Sequence, residues 1–216
     1  MKKIDLFIFD LDGTLIDSKK DIAASVNYTM EACGLPKLST DLIDEFVGNG
    51  VTRLIQDSVH AAGGIQFEEA FKIFNAHYLE HLLDTTLPFP GVFDVLKYYS
   101  KIPKVVVTNK SQGFSEKVIK GLQLAPYFEG IYGGDTAIPK KPDPAVIHHL
   151  LERFSVLPKN AVIIGDSRVD IETGKNAGIL TCGVTYGFRP EKELREVGCD
   201  VLVGSIGEIV KFFTAY

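Results

Sequence analysis

Residues 4–13 read Ile4-Asp5-Leu6-Phe7-Ile8-Phe9-Asp10-Leu11-Asp12-Gly13, an apolar run that ends in two carboxylates and a glycine. The run has the length of one buried β-strand, which the acidic residues and the glycine terminate. Further short apolar runs, two of them weaker, occur at 104–108, 131–132, 161–165, 181–184 and 200–203. Strands that are apolar at nearly every position indicate a sheet buried on both faces, and therefore a parallel one.

Helical patterns separate these strands, and several begin at recognisable capping residues. Asp143-Pro144 predicts a cap followed by proline at the first helical position, and Ser205 with Glu208 predicts a capping box for the last helix. Alternating strands and helices predict an α/β fold with a doubly wound, Rossmann-like parallel sheet.

Residues 16–87 break this alternation, because they contain no convincing strand. Amphipathic helical spacing runs through 22–33 and 67–82. Between them, Gly48-Asn49-Gly50 is consistent with a hairpin turn, but the apolar spacing on both sides favours a loop between two helices. The sequence therefore predicts a core domain of residues 1–15 and 88–216, with a small helical cap domain of residues 16–87 inserted after the first strand.

The composition limits the classes of function. Twenty-three basic residues against 28 acidic ones give a net charge of −5, which argues against general nucleic-acid binding. No stretch approaches the length of a membrane span, and the three scattered cysteines suit a reducing compartment. A cytoplasmic protein without a nucleic-acid or membrane partner is the expectation.

Polar residues collect where the predicted strands end. In an open parallel sheet, ligands bind beyond the carboxyl ends of the strands, so these residues are expected at one rim. They are Asp10, Asp12, Thr108, Asn109, Asp166 and Asp170, with Lys141 in a loop before a helix. Several carboxylates at one place repel one another unless a cation accompanies them, and oxygen ligands without histidine or cysteine favour Mg²⁺ over Zn²⁺.

Four segments resemble the signatures of the haloacid dehalogenase-like hydrolases, in the order of that family. They are Asp10-Leu11-Asp12-Gly13-Thr14-Leu15, Thr108-Asn109, Lys141-Pro142 and Gly165-Asp166-Ser167-Arg168-Val169-Asp170. The resemblance covers essentially the whole chain. It implies a Mg²⁺-dependent phosphatase in which Asp10 attacks phosphorus to form an aspartyl phosphate. Asp12 would act as the acid and then the base.

The same resemblance assigns the remaining residues of the site. Asp10, Asp166 and the backbone carbonyl of Asp12 would hold the metal, and Asp170 would help directly, through water, or by orienting Lys141. The phosphoryl oxygens would be held by the Thr108 hydroxyl, the Lys141 ammonium and the loop amides near Gly13 and Asn109.

The inserted segment is similar to that of the phosphoglycolate phosphatases. This implies a small phosphorylated metabolite, 2-phosphoglycolate first, as the substrate, and places Gly48, Asn49, Gly50 and Arg53 among the residues expected to contact it. Another small-metabolite phosphatase, a pyrophosphatase, a sugar phosphomutase and a phospho-accepting signalling domain are the alternatives. A monomer and a homodimer are both compatible with the sequence.

Overall fold

The computed structural model describes residues 1–214. The chain divides into two compact units, Met1–Ile16 with Pro88–Tyr216, and Asp17–Leu87. Within the first unit, the Phe89 N–H donates a hydrogen bond of 3.0 Å to the Leu15 carbonyl. The two points at which the chain leaves and rejoins this unit are therefore adjacent.

The first unit is built on a six-stranded sheet. Its strands, in spatial order, are β6 (Gly130–Tyr132), β5 (Lys104–Val107), β2 (Leu6–Phe9), β7 (Ala161–Gly165), β8 (Leu180–Val184) and β9 (Val201–Val203). Every pairing within it is parallel. The predicted parallel sheet is confirmed, including its two weaker strands. Short strands β1 (Lys2–Lys3) and β10 (Phe213–Thr214) form a separate parallel pair, which the sequence did not predict.

Both faces of the sheet are buried, because alternate residues of β2 enter two different apolar layers. Leu6 and Ile8 join a cluster with residues of α7 (Ala145–Phe154). On the other face, the Phe7 ring lies 4.4 Å from that of Tyr99, centroid to centroid. This double coverage explains why the strand is apolar at each position, and it confirms the doubly wound architecture.

The other helices of this unit cover the sheet between its strands. They are α5 (Val92–Tyr98), α6 (Gln112–Gly121), α8 (Arg168–Asn176) and α9 (Glu191–Val197), with 3₁₀ turns at Ala125–Tyr127, Pro158–Asn160 and Ile206–Lys211.

Two of the predicted helix starts are wrong in detail. The segment after Ser205 is a 3₁₀ helix, and the Glu208 carboxylate accepts from the Gly204 N–H, so no capping box with Ser205 forms. Pro144 is the capping residue of α7 rather than its first helical residue.

The second unit is helical. It contains α1 (Lys19–Ala32), α2 (Thr40–Phe46), α3 (Val51–Ala61) and α4 (Phe67–His81). The segment 47–50 joins α2 to α3, so the loop is confirmed and the hairpin is not formed. Gly48 and Gly50 have φ angles of 109° and 89°, which residues with a side chain rarely adopt. The two-residue strands β3 (Ile16–Asp17) and β4 (Leu87–Pro88) pair where the chain passes between the units.

One buried carboxylate fastens the end of this helical unit. Asp21 in α1 accepts hydrogen bonds from the backbone N–H and the hydroxyl of both Thr85 and Thr86, at 2.6–3.0 Å. Burial alone would raise the pKa of Asp21, but these four donors hold it below its ordinary value. The segment after α4 is thus tied back to the first helix of the unit.

Candidate active site

Three neighbouring strands of the sheet deliver polar residues to the same edge. Asp10 follows β2, Thr108 follows β5, and Asp166 follows β7. The register pairs Phe9 with both Val106 and Ile164, so the residues that follow these strands emerge close together. The candidate catalytic residues therefore lie at the centre of the sheet, where the carboxyl ends of β5, β2 and β7 meet.

Asp10, Asp166 and Asp170 form a buried group in which one oxygen of each lies within 4.8 Å of the others. Burial, followed by the charge of Asp170, raises the pKa of Asp10 to about 7. Burial and the charges of Asp170 and Asp10 raise the pKa of Asp166 to about 8. The charged form of this group is costly without additional positive charge.

Lys141 supplies part of that charge. Its Nζ lies 2.8 Å from Asp10 Oδ1 and 2.5 Å from Asp170 Oδ1, and the residue is 3% exposed. Burial acts to lower the pKa of Lys141, but the two carboxylates outweigh it and hold the pKa above its ordinary value. Asp170 Oδ2 is in turn held by the N–H and hydroxyl of Ser167 in a capping box that starts α8. The ammonium is therefore fixed from two sides.

Glycines leave the room that these carboxylates occupy. A Cβ at Gly13 or at Gly187 would overlap with the Asp166 carboxylate, and a Cβ at Gly165 would overlap with that of Asp170. Gly13 also has a φ of 83°, which favours glycine on conformational grounds. The backbone is thus shaped around acidic groups whose charge one lysine does not neutralise.

The residues present fit a bound dication. All three carboxylates offer oxygen, the donor type that hard divalent cations prefer. Asp10 Oδ1 is buried and accepts no hydrogen bond of acceptable geometry, although the Lys141 ammonium is 2.8 Å away. A cation beside this oxygen and Asp166 would satisfy the first and offset the charge of both.

The loop after β8 also belongs to this site, and sequence reasoning did not find it. The Phe188 N–H donates a 2.6 Å hydrogen bond to Asp166 Oδ2. The neighbouring Tyr186 hydroxyl donates to the Thr14 carbonyl at 2.7 Å. This loop steadies both Asp166 and the loop after β2. Backbone donors carry no residue signature, so the sequence offers no signal for this loop beyond the glycine at position 187.

Asp12 faces a second cation, Lys110, which the sequence analysis did not single out. Lys110 Nζ lies 3.0 and 3.1 Å from the two oxygens of Asp12. The side chains of Lys110 and Asp12 are 6% and 13% exposed, respectively. The signal was present, because Lys110 directly follows Thr108-Asn109.

Thr108 and Asn109 are buried and in place at the same edge. Thr108 Oγ1 accepts from the Lys110 N–H at 3.2 Å, and Asn109 Nδ2 donates to the Lys141 carbonyl at 3.1 Å. The first contact steadies the chain after β5, and the second links it to the loop that carries Lys141. The core residues predicted from the four signatures thus lie together.

The predicted cap residues belong to the other unit. Gly48, Asn49 and Gly50 form the loop between α2 and α3, and Arg53 is in the first turn of α3. Arg53 Nε lies 2.8 Å from Asp57 Oδ2, and the Arg53 side chain is 62% exposed. Whether these four residues contact substrate stays a prediction.

Comparison with known proteins agrees with this geometry. The sequence profile of the haloacid dehalogenase-like hydrolases matches residues 7–184, and the chain belongs to that family of enzymes. The phosphoglycolate phosphatase of Chromobacterium violaceum is 36% identical, over 97% of this chain and 96% of its own length. That of Aquifex aeolicus is 38% identical, over 85% of each chain.

Solved structures repeat the whole fold. A protein from Haemophilus somnus 129PT, described as a predicted phosphoglycolate phosphatase, superimposes with a TM-score of 0.94 at 28% identity, covering 98% of this chain and 99% of its own. A Thermotoga maritima structure provisionally named β-phosphoglucomutase gives a TM-score of 0.78 at 26% identity, over 97% of this chain and 98% of its own. The family assignment predicted from the four signatures is confirmed. In the described part of the chain, every helix is too short or too polar to cross a membrane.

Proposed function

We propose that this chain is a Mg²⁺-dependent phosphatase that hydrolyses a small phosphomonoester, 2-phosphoglycolate first among the candidates. The observation that carries the proposal is the buried group of Asp10, Asp166 and Asp170 with Lys141, next to Asp12. The substrate class is supported by the relatives named phosphoglycolate phosphatase, which match nearly the full chain. The protein would act in the cytoplasm, consistent with three cysteines that are free thiols.

The reaction would proceed in two displacements at phosphorus. An Asp10 carboxylate oxygen attacks the phosphoryl group, the bond between phosphorus and the ester oxygen breaks, and Asp12 donates a proton to the departing alkoxide. A water then attacks the phosphorus of the aspartyl phosphate while Asp12 takes its proton. The bond between phosphorus and the Asp10 oxygen breaks, so phosphate leaves and the Asp10 carboxylate is restored. The position of Asp12, two residues beyond the nucleophile on the same loop, suits both proton transfers.

The remaining residues would hold the charges of this reaction. Asp10, Asp166 and the Asp12 carbonyl would bind Mg²⁺, which supplies positive charge to the phosphoryl oxygens. Asp170 would keep the Lys141 ammonium directed at the same oxygens. The Thr108 hydroxyl and the amides near Gly13 and Asn109 would complete the cage, and preorganised donors of this kind supply a large share of catalysis. Gly48, Asn49, Gly50 and Arg53 in the cap unit are proposed to contact the rest of the substrate.

A sugar phosphomutase is the second candidate, and the Thermotoga maritima structure is the observation that favours it. A mutase would also need an aspartyl phosphate and an acid in the position of Asp12. It would differ by returning the phosphoryl group to a sugar rather than to water. A dehalogenase is disfavoured, because it has no use for an acid two residues after its nucleophile.

The deciding experiment is a kinetic screen across phosphomonoesters, pyrophosphate and sugar phosphates with bisphosphate activators. We expect the highest kcat/KM for 2-phosphoglycolate, and loss of turnover after chelation. The control is Asp10→Asn, expected to lose at least about a thousandfold in kcat, as removal of a covalent nucleophile does elsewhere. Full activity after exhaustive chelation, or in Asp10→Asn, would contradict the mechanism. Isomerisation of a sugar phosphate without release of phosphate would establish the mutase instead.

A further inference from the structure

The feature that the proposed mechanism does not use is the ion pair between Lys110 and Asp12. Both oxygens of the Asp12 carboxylate lie within 3.1 Å of Lys110 Nζ. Little of either side chain is exposed, 6% for Lys110 and 13% for Asp12. An ammonium held this deeply, against the carboxylate assigned to the leaving group, is placed to meet whatever the leaving group carries.

The position of Lys110 is set by the backbone rather than by chance packing of a long side chain. Its N–H donates to Thr108 Oγ1 at 3.2 Å, and its carbonyl accepts from the Gly134 N–H at 2.9 Å. A Cβ at Gly134 would overlap with the backbone of Asn109, so this segment packs tightly behind the lysine. The backbone from which the Lys110 side chain extends, two residues beyond Thr108, is therefore held in place.

The proposed role of Asp12 as the acid determines which part of the substrate lies near the Lys110 ammonium. If Asp12 protonates the ester oxygen, that oxygen sits at hydrogen-bond distance from the Asp12 carboxylate. In 2-phosphoglycolate one carbon separates the ester oxygen from the carboxylate, so the substrate carboxylate oxygens lie only about 3 Å from the ester oxygen. They would come close to Lys110 Nζ, which has three donors and can serve two acceptors at once.

Electrostatic repulsion also requires a cation between the substrate carboxylate and Asp12. A substrate carboxylate next to the Asp12 carboxylate is repelled unless a cation lies between them. Lys110 is a cation of the core unit in direct contact with Asp12. A phosphomonoester with an uncharged group at that position would gain nothing from it.

We propose that Lys110 is a specificity-determining residue, which recognises a carboxylate on the carbon next to the phosphoester oxygen. This deepens the proposed function and rests on it, because it takes Asp12 to be the residue at the leaving group. It places recognition of the substrate's second charge on the core unit, one residue after the Thr108-Asn109 signature. It also explains why a lysine should stand against the acid-base residue.

The test compares two substrates that differ at one group, 2-phosphoglycolate and 2-hydroxyethyl phosphate. We expect the wild-type protein to prefer the carboxylated ester in kcat/KM. In Lys110→Met this preference should fall by about tenfold to a hundredfold, the cost of one charge-assisted contact, whatever happens to the absolute rates. Lys110→Arg should restore part of it, because it returns the charge. The matched control is Lys120→Met, which removes an exposed lysine of α6 and should keep the preference.

Binding supplies a readout independent of turnover. 3-Phosphonopropionate is a non-hydrolysable analogue that keeps the carboxylate, and propylphosphonate lacks it. Calorimetry with Mg²⁺ present should show that Lys110→Met weakens the first by about tenfold to a hundredfold relative to the second. If Lys110→Met unfolds, Lys110→Gln serves in its place.

The possible outcomes distinguish carboxylate recognition by Lys110 from the proposed phosphatase activity. Equal losses on both esters and both phosphonates would mean that Lys110 only positions Asp12, and would overturn the inference. Hydrolysis by the wild-type protein without preference for the carboxylated ester would also overturn it, with the phosphatase assignment intact. If no phosphomonoester is hydrolysed, the proposed function fails, and the two phosphonates alone decide whether Lys110 binds a carboxylate.

Discussion

Asp170 Oδ1 lies 2.5 Å from the Lys141 ammonium, and no other cation in the described structure lies closer to this carboxylate. The opposite oxygen of Asp170 accepts from the N–H and hydroxyl of Ser167 at the start of α8. The carboxylate is thus a link between a helix start and the loop that carries Lys141. This geometry favours the orienting role among those expected for Asp170.

Replacement of Asp170 should therefore act through Lys141. Asp170→Asn keeps the shape but removes the charge that fixes the ammonium, and we expect kcat/KM to fall about tenfold to a hundredfold. Asp200→Asn is the matched control, because Asp200 also accepts from a backbone N–H and a hydroxyl, those of Thr181, away from the site. Steady-state kinetics checks it. Unchanged kinetics in Asp170→Asn would remove the orienting role.

Loss of the acid-base residue should depend on the leaving group. Asp12→Asn cannot donate or accept the proton, so hydrolysis of an alkyl phosphate should slow by roughly a hundredfold to ten-thousandfold. An aryl phosphate with a good leaving group needs less protonation, so its first step should be partly rescued. Single-turnover measurements should then show a burst of the phenol followed by slow turnover. The same loss for good and poor leaving groups would argue against this role for Asp12.

The raised pKa values of Asp10 and Asp166 predict how stability responds to pH without metal. The folded pKa values of Asp10 and Asp166, about 7 and about 8, both lie above the ordinary aspartate value of 3.8. The folded state therefore binds more protons in this range, and stability of the metal-free protein should fall as pH rises from about 4 to about 8. Each unit of pKa difference corresponds to about 1.4 kcal/mol, so the fall should be visible in Tm.

Two comparisons isolate this effect from other titrations. Asp166→Asn in chelator should be less sensitive than the wild-type protein to a rise from about pH 5 to about pH 8, because one costly charge is gone. Added Mg²⁺ should raise the Tm of the wild-type protein, most at the higher pH, and raise that of Asp166→Asn much less. Thermal unfolding of both proteins at both pH values, in chelator and in Mg²⁺, gives the eight Tm values that the two comparisons need. A metal-free Tm that climbs with pH more steeply in the wild-type protein than in Asp166→Asn would contradict the prediction.

The helical unit should depend on Asp21. Asp21→Asn leaves the donors of Thr85 and Thr86 poorly matched, and we expect a loss of about 1.5–3 kcal/mol in the free energy of unfolding. The folded pKa of Asp21 is lowered, so its contribution is present above about pH 4 and is lost as pH falls below it. Hydrogen exchange at the Thr85 and Thr86 amides should accelerate.

Asp41→Asn is the control for this substitution, because Asp41 is an exposed acid in the first turn of α2. It should leave exchange at Thr85 and Thr86 unchanged. Slow exchange at both amides in Asp21→Asn would show that other contacts hold the segment.

The sequence predicted the main sheet and most of the site for one physical reason. Apolar strands and the acids that end them are local features, and parallel pairing brings strand ends together without further information. Asp10, Thr108 and Asp166 were found in this way. Contacts between residues distant in sequence were not predicted. For example, Phe188 contacts Asp166 through a backbone N–H, which any residue except proline would offer. The capping box was expected at Ser205 but occurs at Ser167, where Asp170 reaches the N–H of the capping residue. Composition alone does not distinguish these two starts.

The hydrogen bond from Phe89 to Leu15 has a consequence for how such a protein can diversify. Seen from the core unit, all of residues 17–87 form one long loop closed between adjoining points. The entropic cost of closing a loop grows only with the logarithm of its length, by about 0.6 kcal/mol for each doubling. Segments of different size and shape can therefore be exchanged at this junction at little cost to the sheet. The strand ends that carry the carboxylates would keep their places while the range of substrates changes.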